Sequence, residues 1–97
     1  DLALFPSSDR DWTITLSKKI GYNELLAKIY EVMPEVCESV SLTALFEHEK
    51  LGLDKHNITL HFVYRDREKT ISQEVVDTAH QKLVSNVVHY LAEKYPD

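Results

Sequence analysis

Asn57-Ile58-Thr59-Leu60-His61-Phe62-Val63-Tyr64 alternates apolar and polar side chains from end to end. Ile58, Leu60, Phe62 and Tyr64 fall on one face of an extended chain, and Thr59, His61 and Val63 on the other. That period of two predicts a strand with one side on a core. Downstream, the charged residues 65–69 end the strand, and Ser72 has the chemistry of a helix N-cap. Glu74 puts negative charge in the first turn of that helix, where the backbone dipole favours it. Val76, Ala79, Leu83, Val87 and Tyr90 then recur at helical spacing and predict a helix to about Leu91.

Upstream, a polar stretch over residues 47–55, with Gly52, leads back to residues 40–46, whose β-branched and apolar content predicts another strand. Tyr22, Leu25, Leu26, Ile29 and Met33 mark an earlier helix, which Pro34 limits because a residue before proline disfavours the α region. Trp12, Ile14 and Leu16 alternate with Thr13 and Thr15 in a first strand. Residues 1–9, with Pro6, Ser7 and Ser8, read as an incoming linker, and residues 10–97 as one domain. The expected fold is α+β, a ferredoxin-like βαββα(β) sandwich. Two helices cover one face of a mixed antiparallel sheet, and the last strand is short or missing.

Composition narrows the function. The chain has 97 residues, 43% of them hydrophobic and 28% charged, which suits one small globular domain. Its apolar runs are too short to span a bilayer, so no membrane partner is expected. The lone Cys37 rules out an internal disulfide and fits a reducing, cytoplasmic compartment. Opening on Asp1 rather than Met leads to the expectation of a piece of a longer polypeptide. A net charge of −5 argues against autonomous, tight RNA binding, since phosphate neutralisation drives that affinity. It is compatible with reading a few bases while a larger assembly holds the RNA.

Catalytic and metal chemistry find little footing. The five histidines, His48, His56, His61, His80 and His89, show no HxxxH or HExxH spacing, so solvent-facing or open-face positions are expected for them. No serine sits in a GxSxG elbow, and two glycines, Gly21 and Gly52, cannot build a phosphate-cradling loop. No catalytic residue and no metal ligand is assigned. Phe46 and Tyr64 are the aromatics that could stack bases on an open sheet face, though core packing is the commoner fate of such residues. Arg65, Arg67 and Lys69, interleaved with Asp66 and Glu68, read as a solvated turn.

Three segments together resemble the ferredoxin-fold anticodon-binding domain of phenylalanyl-tRNA synthetases. Phe5-Pro6-Ser7-Ser8-Asp9-Arg10-Asp11 looks like the family's Pro-x-x-x-Arg-Asp entry into its first strand. Val40-Ser41-Leu42-Thr43-Ala44-Leu45-Phe46 and Asn57 to Arg65 look like its second and third strands. Tyr64-Arg65-Asp66-Arg67-Glu68-Lys69-Thr70-Ile71 is similar to the family's (Phe/Tyr)-Arg-Asp-x-x-(Arg/Lys)-Thr-Leu. The resemblance implies a non-catalytic domain of the β subunit that recognises the anticodon loop of tRNA(Phe). By the same token it implies an α2β2 parent that aminoacylates tRNA(Phe), with ATP and magnesium bound there and no cofactor in this domain. The implied partners are tRNA(Phe), the α subunit and the rest of the β subunit.

The resemblance also points to site residues. The family commonly carries an Asp-x-Tyr on the second strand and a Ser opening the third, and these meet the anticodon. The matching positions here are Ala44, Phe46 and Asn57. Phe46 keeps a ring for stacking without the hydroxyl, Ala44 loses a side-chain acceptor, and Asn57 offers a donor and an acceptor. Simple alternation, however, puts Val40, Leu42, Ala44 and Phe46 together on what looks like the core face. A bulge, or a sheet face covered by another domain of the parent, would reconcile the two placements. The rival reading is a protein–protein packing module with little RNA contact. A small-ligand regulatory domain of similar fold lacks the glycine-rich turns it would need.

Overall fold

The computed structural model describes residues 5–47, 52 and 54–96. The elements run β1 (Ser8–Ser17), α1 (Tyr22–Val32), β2 (Cys37–Phe46), β3 (Lys55–Tyr64) and α2 (Gln73–Lys94). The sheet order is β1-β3-β2, and both pairings are antiparallel. This is the expected ferredoxin-like plan. β1 begins at Ser8, so the last two residues of the expected linker are strand. α2 continues to Lys94, past the expected end near Leu91, and no fourth strand follows it among the described residues. With the last strand short or missing, the sequence predicts that the outer edge of β1 is exposed or is covered by the segment from residue 2 to Phe5 or by another molecule; residues 2–4 lie outside the described residues, and Phe5 is in no strand.

β3 sits between the other strands, and its alternation is realised in full. Ile58, Leu60, Phe62 and Tyr64 are buried against the helices, joined by Leu25 and Ile29 of α1 and by Val76, Leu83, Val87 and Leu91 of α2. Tyr64, one of the two stacking candidates, is therefore core. Its hydroxyl lies 2.7 Å from His80 Nδ1. Burial depresses the His80 pKa, which favours the neutral ring, and that ring also packs edge-on against Phe62 at 5.0 Å. A histidine expected to face solvent thus serves the interior, because α2 turns that position toward β3.

The helices are fastened to each other and to the sheet by polar groups at their ends. Ser72 caps α2, its Oγ accepting from the Val75 N–H at 3.1 Å. Arg10 reaches from β1 to α2, donating to Asp77 Oδ1 from Nε and Nη2 at 3.0 and 2.8 Å and to Gln73 Oε1 at 2.7 Å. At the opposite end of α2, Glu24 in the first turn of α1 collects three donors. The Tyr90 hydroxyl, Lys94 Nζ and the Tyr95 hydroxyl approach its carboxylate at 2.8, 2.7 and 2.6 Å. Lys94, followed by Tyr95 and Tyr90, holds the Glu24 carboxyl down to about 2.

Two stability predictions follow from these contacts. Ser72→Ala should cost about 1 kcal/mol, seen as a melting temperature lower by about 4–8 °C for a domain of this size. For Glu24 the folded pKa lies below the ordinary value of 4.5, so its stabilisation is complete above that pH and is lost as pH falls toward 2. Denaturant titrations from pH 7 to pH 2 should show Glu24→Gln less stable at neutrality. Its stability should also change less than the parent's across the acidic range.

Candidate functional site

The sheet face turned away from the helices is assembled from the odd-numbered residues of β1 and β3. Asp11 lies opposite His61, Thr13 opposite Thr59, and Thr15 opposite Asn57. β2 contributes through a different register. Its pairing runs Ser41↔His61, then Leu42↔Leu60, and then jumps to Ala44↔Thr59 and Phe46↔Asn57. Thr43 is the extra residue of a β-bulge, and its hydroxyl donates to the Thr59 carbonyl at 3.2 Å. One inserted residue reverses which side chains of the strand face the core. Val40 and Leu42 stay on the helix side, while Ala44 and Phe46 emerge on the open face. A second irregularity at Glu38 lets Cys37 and Val40 both point inward despite their odd spacing.

The bulge brings the three residues expected from the sequence into one place. Phe46 lies directly across from Asn57, and Ala44 is in the next row, across from Thr59. Neighbouring strands are about 4.8 Å apart, so the three residues form one small patch. Phe46 is 53% exposed and puts an aromatic side chain on this face. Asn57 Oδ1 accepts from the Thr15 hydroxyl, so the carboxamide presents its NH2 group as donor. Beside it, the Thr13 and Thr59 hydroxyls bond each other at 2.8 Å. The middle of the face is thus a polar ladder next to one aromatic ring.

The opposite end of the face is acidic. His61 donates from Nδ1 to Asp11 Oδ1 at 2.7 Å, and its Nε2 lies 3.2 Å from Asp9 Oδ2. These carboxylates, Asp11 foremost, raise the His61 pKa above its ordinary 6.5. Asp9 falls within the expected linker, and the position of Arg10 and Asp11 at the start of the first strand predicts structural rather than RNA-reading roles for both. Extending the Thr13/Thr15 alternation backwards by two and four positions would have placed both on the open face. Arg10 does act as a structural tie, whereas Asp11 belongs to this surface.

The remaining polar candidates sit in structural contacts. Arg65 grips Glu38 from Nε at 3.2 Å and the Phe5 carbonyl from Nη1 at 2.6 Å, so it braces strand ends. His56 approaches Glu47 at 3.8 Å and His89 pairs with Glu93 one turn along α2. His48 lies outside the described residues. Among the described residues no group of three His, Cys, Asp or Glu side chains is placed to hold a metal ion. No helix among them is long and apolar enough to cross a membrane.

His61 offers a direct test of this geometry. A raised folded pKa means that its stabilisation is complete below pH 6.5 and is lost as pH rises through the folded value. NMR titration should find the ring titrating above 6.5, and Asp11→Asn should bring it back toward that value. The variant should also lose part of the parent's decline in stability with rising pH.

Comparison with known proteins gives these features a context. Residues 3–94 match the family model of the ferredoxin-fold anticodon binding domain. The chain is 42% identical over 86 residues to the phenylalanine–tRNA ligase beta subunit of Protochlamydia amoebophila, covering 89% of this chain and 11% of that protein. The corresponding beta subunit of Shouchella clausii is 32% identical over 83 residues, covering 86% of this chain and 10% of that protein. That of Bacteroides fragilis is 28% identical over 94 residues, covering 97% and 12%. The chain therefore spans about a tenth of the length of these curated relatives.

Proposed function

This chain belongs to the ferredoxin-fold anticodon-binding domain family, and from that membership we propose that its open sheet face engages the anticodon loop of tRNA(Phe). The domain itself performs no chemistry. It works as part of a phenylalanine–tRNA ligase β subunit in an α2β2 enzyme, whose catalytic subunit aminoacylates tRNA(Phe) with ATP and magnesium. Those two ligands bind elsewhere in the parent. Here Gly21 stands alone before α1 and Gly52 lies in the β2–β3 connection, so no row of glycine N–H groups is offered to a phosphate.

The observation that supports this reading is the bulge at Thr43, which sets Phe46 beside Asn57 on the exposed face. An unpaired base laid on the Phe46 ring would gain about 1–3 kcal/mol, with little regard to its identity. Discrimination then falls to the Asn57 NH2 group, which can donate to an acceptor on the base edge. Ala44 adds a methyl and removes a side-chain acceptor, so it permits close approach without selecting a hydrogen-bond pattern. The net charge of −5 and the Asp9–Asp11 pair keep the phosphate contribution small, and a shallow salt dependence goes with that.

The same acidic pair favours the second reading, a packing module with little RNA contact. Kinetics on the synthetase carrying this domain separate the two, using tRNA(Phe) with normal and altered anticodons. Phe46→Leu keeps most of the apolar bulk and should leave the fold intact. With stacking lost, the tRNA KM should rise about fivefold or more, and the gap between the two anticodons should narrow. A stably folded variant that keeps the full gap would remove Phe46 from recognition and leave the packing module standing.

A further inference from the structure

The open face carries a second ring besides Phe46. His61 lies on β3 four residues from Asn57 and on the same face, since Asn57, Thr59 and His61 alternate with the buried Ile58 and Leu60. Across from it stand Asp11 on β1 and Ser41 on β2. Both ring nitrogens are turned to β1, with Nδ1 2.7 Å from Asp11 Oδ1 and Nε2 3.2 Å from Asp9 Oδ2. Two carboxylates at two corners of a five-membered ring hold its plane as well as its position. They use up its hydrogen bonding, while 31% of the side chain stays exposed. What the ring still offers a ligand is its π surface.

The β2 side of the ring is open. Ser39, Ser41 and Ala44 stand opposite Val63, His61 and Thr59, and all three are small and exposed. Charge is one-sided as well, because Asp9 and Asp11 occupy the β1 flank and the β2 and β3 neighbours of the ring are uncharged. Phosphates are repelled from the β1 flank, so an RNA strand reaches the ring over β2. A strand advances about 3.3 Å per residue, which puts His61 about 13 Å from the Phe46–Asn57 row. Stacked neighbours in a nucleic acid are about 3.4 Å apart, so no pair of adjacent stacked bases spans the two rings. Bases splayed from a single-stranded loop can, and histidine is among the side chains on which such bases stack.

We propose that His61, pinned by Asp9 and Asp11, is a second stacking platform, taking a base of the anticodon loop other than the one on Phe46. The proposal rests on the reading that the open face engages that loop. It gives the acidic pair a part in that reading, since the carboxylates order the ring. They also favour its protonated form, whose charge strengthens the attraction to the face of a base. With both nitrogens engaged, the ring has no group left to read a base edge. The platform therefore adds affinity without choosing among bases, and discrimination stays with Asn57.

The test is tRNA kinetics on the synthetase carrying this domain, using tRNA(Phe) and tRNA(Phe) molecules that lack one base of the anticodon loop at a time. His61→Ala should raise the tRNA KM about fivefold or more, and His61→Phe, which restores a ring, should return it to within about twofold of the parent. One abasic position should cost the parent about fivefold and cost His61→Ala nothing further. A different position should behave in that way in Phe46→Leu. Because the platforms are about 13 Å apart, the double variant should show the product of the two single effects. If His61→Ala fails to fold, His61→Leu, which keeps bulk without a π face, takes its place. A folded His61→Ala with the parent's KM would overturn the proposal. So would a His61→Phe as weak as His61→Ala, or one and the same abasic position falling silent in both Phe46→Leu and His61→Ala. Loss in Phe46→Leu with none in His61→Ala removes the second platform alone and leaves the anticodon reading standing. A parent enzyme indifferent to every abasic position removes both.

Discussion

β3 is hydrogen-bonded along both edges, and its side chains leave no choice about which way they face. Ile58, Leu60, Phe62 and Tyr64 are all fully or almost fully buried. Shifting β3 by one residue would exchange that entire set for Asn57, Thr59, His61 and Val63. Because β1 and β2 pair with it, this single parity decides the orientation of every strand residue in the domain. The core under the helices and the polar ladder on the open face are two consequences of one register.

Much of this was legible from residue order. The apolar alternation of β3 and of Trp12, Ile14 and Leu16 identified both strands and their inner faces, because strand parity and burial agree there. Ser72 announced the start of α2 through cap chemistry alone, and the helical stripe from Val76 onward located its buried side. The end of α2 was less readable. Tyr90, Lys94 and Tyr95 extend it by gathering on Glu24, a residue some seventy positions away, and local patterning carries no trace of such a contact.

The candidate site was half legible for a related reason. Resemblance singled out positions 44, 46 and 57, whereas alternation alone sent Ala44 and Phe46 to the core face, and the register puts them on the open one. A bulge has no compositional marker here, since Thr43 is as ordinary in a regular strand as in an irregular one. What betrays it is the conflict itself: apolar alternation and the family resemblance assign the same residues to opposite faces. Asp9 and Asp11 were missed for a simpler reason, as the strand starts earlier than its apolar residues do. His80 shows the reverse failure, in which a polar residue is drawn inward by a single partner, the Tyr64 hydroxyl.

The bulge at Thr43 also divides β2 into two stretches under different selection. Before it, Cys37 is buried and Val40 packs against the core, so a change of volume at either is felt there. Residues 44 and 46 lie beyond the reversal, on the exposed face. A domain built this way can change the chemistry of its open face by point substitution while its scaffold stays constant.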